Sequence, residues 1–126
     1  AQEAIARGYS RRVCLACLLH DASEAYLSDV PRPFKKTLPS YQALEEHFLS
    51  IIYKKYLGSD LTKEERRQVR AIDDDMLYFD LAELLGERPD GKEPEMKSMF
   101  SEEYVPFTEV EEKYLKLFYE LSSGQE

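Results

Sequence analysis

The sequence predicts an all-α fold, a compact helical bundle. Three observations point there. Apolar residues recur at three- and four-residue spacing through most of the chain. No segment sustains an alternation of period two, so strands are not expected. The 5 Gly and 6 Pro fall between the patterned stretches rather than inside them.

Taken in order, residues 1–7 read as the end of a helix closed by Gly8. The chain opens inside a pattern, which predicts a further segment upstream of Ala1. Ser10 is a fitting N-cap for a helix running to about Tyr26. Ser28 to Pro33 holds two prolines one residue apart and is expected as a loop, with a short helical turn over Phe34 to Leu38. Ser40 is expected to cap a helix from Tyr41 to Leu57, stopped by Gly58, with Leu44, Phe48, Ile51, Ile52 and Tyr56 at helical spacing. Thr62 and Glu65 form a capping-box pair opening a helix to Leu85, followed by Gly86. Residues 87–107, rich in Pro, Gly and charge, are expected to be irregular. Thr108 and Glu111 suggest a second capping box. Val110, Tyr114, Leu117, Phe118 and Leu121 then form one stripe of a final helix.

A length of 126 residues suits a single domain, 1–126, and 43% hydrophobic residues suffice for a core. The net charge of −8 argues against a nucleic-acid polymer as partner, since that binding needs a basic surface. A small phosphorylated ligand needs only a few local cations and stays open. No apolar stretch reaches membrane-span length, so no membrane partner is expected, and nothing resembles a signal peptide. Cys14 and Cys17 sit three apart on one helix, where a disulfide is not expected, and a reducing cytoplasm is the expected compartment. Their spacing matches half a zinc knuckle without a second pair, so buried small side chains are the expected role. Tyr (9) and Phe (6) serve a core or a dimer contact equally, and a homodimer remains open.

The chemistry concentrates at His20 and Asp21. They end an apolar run, Val13-Cys14-Leu15-Ala16-Cys17-Leu18-Leu19, which should be buried. An imidazole and a carboxylate at the rim of a core need partners, and a divalent cation serves both. With about 100° per helical residue, Glu24 lies about 40° from His20 and Asp21 about 100° from it, so all three can face one pocket. Asp29 can fold back from the following loop. The alternative on spacing alone is a satisfied core histidine with solvated acids.

Asp73-Asp74-Asp75 bears on that choice. Val69, Asp73, Met76, Leu77, Asp80 and Leu84 share one helical face, while Asp74 and Asp75 point elsewhere. Asp73 is therefore an acid on an apolar face, suited to be a third ligand from across a helical bundle. Asp80 would either accept a hydrogen bond behind a ligand or pair with a base. His47, flanked by Glu45 and Glu46, is expected at the surface or in helix packing.

The segment His20-Asp21-Ala22-Ser23-Glu24-Ala25-Tyr26-Leu27-Ser28-Asp29-Val30-Pro31-Arg32-Pro33-Phe34-Lys35 resembles the core of HD-domain phosphohydrolases. It is closest to the branch containing bacterial 5′-deoxynucleotidases. In that branch Leu-Leu-His-Asp-Ala-x-Glu is followed by Gly or Ser, an Asp, an apolar residue and Pro-x-Pro-x-Lys. The likeness continues through Tyr41 and Glu45-Glu46 to Val69-Arg70-Ala71-Ile72-Asp73.

The resemblance implies an HD-type helical bundle and one divalent cation (Mn²⁺, Co²⁺, Fe²⁺, Mg²⁺ or Zn²⁺) held by His20, Asp21 and Asp73 with an upstream His. It implies proton transfer by Glu24, and Asp29 helping to hold the attacking water or the metal's water shell. No His precedes His20, and the family's upstream Arg is likewise missing, so both are expected before residue 1. Arg32, Lys35 or Lys36 could meet a phosphate. The expected activity is metal-dependent hydrolysis of a small phosphate ester, a (deoxy)nucleoside 5′-monophosphate first. Triphosphates, cyclic dinucleotides and guanosine tetraphosphate are other substrates to consider. The alternative is a degenerate HD module that binds a nucleotide or partner without catalysis.

Overall fold

The apolar run at residues 13–19 becomes the buried axis of the molecule. In the computed structural model, which describes residues 1–100 and 103–124, it forms helix α2 (Arg11–Leu19). Ser10 caps it, its hydroxyl accepting the Val13 N–H at 3.2 Å. Val13, Leu15 and Ala16 are fully buried. Four helices surround this axis: α1 (Gln2–Ala6), α5 (Pro39–Leu57), α6 (Lys63–Leu84) and α7 (Phe107–Ser122). They supply Ala4, Tyr53, Leu57, Val69, Ile72 and Leu121 to the same core. Two short helices, α3 (Glu24–Leu27) and α4 (Arg32–Lys35), carry the chain from α2 to α5. Among the described residues there is no strand, and no helix is long and apolar enough to cross a membrane.

Several boundaries differ from those read in the sequence. The helix expected to reach Tyr26 stops at Leu19, and α3 restarts at Glu24. Helix α4 begins at Arg32 rather than Phe34, because a proline in the first turn has no intrahelical N–H to lose. By the same logic Pro39 starts α5 with Leu38 as its N-cap, leaving Ser40 inside the helix without a capping role. Helix α7 starts at Phe107 after Pro106, so Thr108 already has a helical backbone and makes no cap. The Thr62–Glu65 capping box forms in both directions, at 3.1 and 3.2 Å. Gly58 closes α5 at φ 82°, a left-handed position that suits glycine. The described residues between Gly86 and Pro106 are irregular, and residues 101–102 of that expected stretch lie outside the described residues. On the α7 stripe Leu121 is buried and Leu117 and Phe118 pack on the core, while Val110 and Tyr114 remain half-exposed.

One buried acid ties the irregular segment to the bundle. Glu3 is 1% exposed, yet its carboxylate accepts hydrogen bonds from Arg7 Nε (2.7 Å), Lys97 N (2.8 Å), Ser98 N (2.8 Å) and Ser98 Oγ (2.6 Å). Arg7 continues to Asp75 at 2.9 Å. Burial opposes ionisation, but the donors from Ser98, Arg7 and Lys97 outweigh it and hold the Glu3 pKa at about 2 against an ordinary 4.5. A depressed carboxylate pKa adds stability above its unfolded value and loses it as pH falls toward the folded one. Glu3→Gln is therefore expected to cost about 3 kcal/mol near neutrality. Chemical denaturation should show that difference shrinking below half near pH 3, about one unit above the folded pKa.

Candidate active site

Four i→i−3 hydrogen bonds build the corner after α2. Ala22 N donates to Leu19 O (2.9 Å), Glu24 N to Asp21 O (3.0 Å), Ala25 N to Ala22 O (3.3 Å) and Tyr26 N to Ser23 O (3.0 Å). This tighter winding has about three residues per turn, so Asp21 and Glu24 eclipse each other instead of Glu24 following His20. The helical arithmetic of the sequence reading fails at this point. Ser23, within this corner, is buried.

His20, Asp21, Glu24 and Asp29 nevertheless line one cleft of about 1070 Å³. Its opposite wall is α6, with Val69, Ile72, Asp73, Met76, Leu77 and Asp80. Its rim carries Arg32, Lys35 and Lys36. Val69, Asp73, Met76, Leu77 and Asp80 share this wall, whereas Leu84, expected on the same face, lies outside the cleft and is exposed. The candidate site residues do not all meet. His20 Nε2 lies 3.6 Å from Asp73 Oδ1, long for a hydrogen bond and short for a charge pair. The Asp73 interaction pushes the His20 pKa up against the effect of burial, and the same contact holds Asp73 below its ordinary value.

The other oxygen of Asp73 is taken. Arg32 reaches it at 2.7 Å and Asp74 at 2.8 Å, one guanidinium nitrogen to each carboxylate. Among the described residues no three His, Cys, Asp or Glu side chains converge tightly enough to enclose a metal ion. The expected ligand set is therefore gathered around one cleft without being closed. His20 and Asp73 meet, Asp21 stands in the wall, and a cationic side chain occupies Asp73.

Glu24 is half-buried, and its pKa is raised by burial and then by the neighbouring Asp21 and Asp29 charges. Lys35 is already engaged, 2.9 Å from Glu45 and over the Tyr41 ring. Lys36 makes no ion pair among the described residues and is the freer rim cation. Asp80 pairs with no base among the described residues, and burial raises its pKa. Cys17 forms part of the cleft wall, where burial pushes its thiol up to about 11 and keeps it inert. Both cysteines are free, and His47 is exposed with its ring edge toward Phe48.

Ser28, which precedes Asp29, was not singled out in the sequence. It has φ 63° and ψ 165°, a region that suits only glycine. Its carbonyl accepts the Tyr41 hydroxyl at 2.6 Å, which anchors this corner to α5. Ser28→Gly is expected to stabilise the protein by about 1 kcal/mol, and a β-branched residue there to destabilise it by at least as much. Thermal denaturation of the two variants checks both signs.

No family model matches this chain, and no solved structure does. A segment of 39 residues is 49% identical to the uncharacterized protein YfdR of Escherichia coli (strain K12), covering 31% of this chain and 22% of that protein.

Proposed function

We propose that this chain is a metal-dependent phosphohydrolase of the HD-domain type, acting on a small phosphate ester and foremost on a (deoxy)nucleoside 5′-monophosphate. One observation carries the reading. Seven residues chosen from the sequence motif and from the apolar face of α6 line a single cleft, with acids along its walls and cations at its rim. A phosphate monoester is a compact dianion, and the rim cations suit its charge. His20, Asp21 and Asp73 are the residues that would hold the cation.

In the reaction, water oxygen bonds to phosphorus while the bond from phosphorus to the ester oxygen breaks. The departing oxygen needs a proton and the attacking water must lose one. Glu24 suits either transfer, because burial and two neighbouring acids favour its protonated form more than in a solvated carboxyl. Asp29 lines the same cleft, where its charge helps raise the Glu24 pKa, and can hold the water. Lys36 and the engaged Lys35 meet the phosphoryl oxygens.

A second reading is a nucleotide-binding module without catalysis, favoured by the guanidinium that already occupies Asp73. Phosphate release from nucleoside mono- and triphosphates, a cyclic dinucleotide and guanosine tetraphosphate, with Mn²⁺ or Co²⁺ added, separates the two. Release from the monophosphates alone is the expected result. Nucleotide binding with no release from any of them supports the module.

A further inference from the structure

We infer that Arg32 is the resident counter-ion of Asp73 and Asp74, and that a divalent cation must displace it to occupy the cleft, turning its guanidinium toward the substrate phosphate. The inference rests on the metal-dependent reading above and adds a competitor and a second use for one side chain. Asp73 has two oxygens, one beside His20 and one held by Arg32 at 2.7 Å. A cation bridging His20 and Asp73 must share that carboxylate with a positive charge already on it.

The clamp is built to be released. Arg32 is 47% exposed and its partners 39% and 49%, so water competes for all three groups and the pair is weak. Its backbone is held by Pro31 and Pro33, so a released guanidinium stays at the rim of the cleft rather than leaving it. Apparent cation affinity is then lowered by the fraction of molecules with Asp73 occupied. A planar guanidinium freed beside the site fits two phosphoryl oxygens at once.

Calorimetric titration of the whole chain with Mn²⁺ tests this. Arg32→Ala should bind Mn²⁺ about fivefold more tightly than wild type. Lys36→Ala removes the same charge from the same cleft without freeing a carboxylate, and should stay within about twofold of wild type. In parallel, the Arg32 Nη–H signals in NMR, held without metal by the Asp73 and Asp74 carboxylates, should shift when Zn²⁺ is added. Equal or weaker Mn²⁺ binding by Arg32→Ala, or equal tightening by Lys36→Ala, overturns the displacement while leaving the phosphohydrolase reading intact. No Mn²⁺ binding by wild type or Arg32→Ala overturns both.

Discussion

Asp73→Asn is expected to lower phosphate release from a nucleoside monophosphate by about 10²-fold or more, with the fold intact. Asp73 is the point where the two halves of the cleft meet. It meets His20, which caps α2, and Arg32, the first residue of α4, while standing on the face of α6 that lines the cleft. An amide keeps the shape but removes the charge that both partners use. Asp73 lies outside the buried core, so the melting temperature should move by only a few degrees. A second readout separates a site effect from a general one. Because the Asp73 interaction is the leading cause of the raised His20 pKa, that pKa should fall in Asp73→Asn when the imidazole is titrated by NMR. An unchanged His20 titration together with unchanged turnover removes Asp73 from the site.

Glu24→Gln is expected to reduce turnover by about 10²–10⁴-fold while Mn²⁺ affinity stays near that of wild type. The amide matches the carboxyl in shape but cannot give or take the proton. Glu24 follows the corner that ends α2 and takes no part in the His20–Asp73 ion pair, so cation binding and proton transfer should be separable. A loss confined to kcat supports the assignment, whereas a loss confined to KM makes Glu24 a substrate contact instead.

Most of the helical architecture was legible because its signals are local. Ser10, Thr62 and Gly58 act through hydrogen bonds or backbone geometry within a few residues, and the run from Val13 to Leu19 is buried except at the half-buried Cys17 and Leu18. The starts of α4, α5 and α7 were misread for one reason. A proline before or within the first helical turn admits a helix start without a side-chain cap, so the capping residues after it are already inside the helix. The acids of the cleft were found by motif and helical face. The corner after His20 was not, because its i→i−3 winding breaks the helix with no Pro or Gly between Leu19 and Glu24 to mark it. The Arg32 clamp joins positions about forty apart in sequence through exposed groups, and no local pattern announces it. The Glu3 anchor is hidden in the same way, since all its donors but Arg7 come from residues 97 and 98.

Diffraction from crystals grown with Mn²⁺, using the anomalous signal of the ion, tests the central claim most directly. The account predicts a peak in the cleft between the His20 imidazole and the Asp73 carboxylate, with Asp21 turned toward it and Arg32 moved off Asp73. Crystals soaked in the same ion that show no peak there, with Arg32 still bridging Asp73 and Asp74, would contradict it.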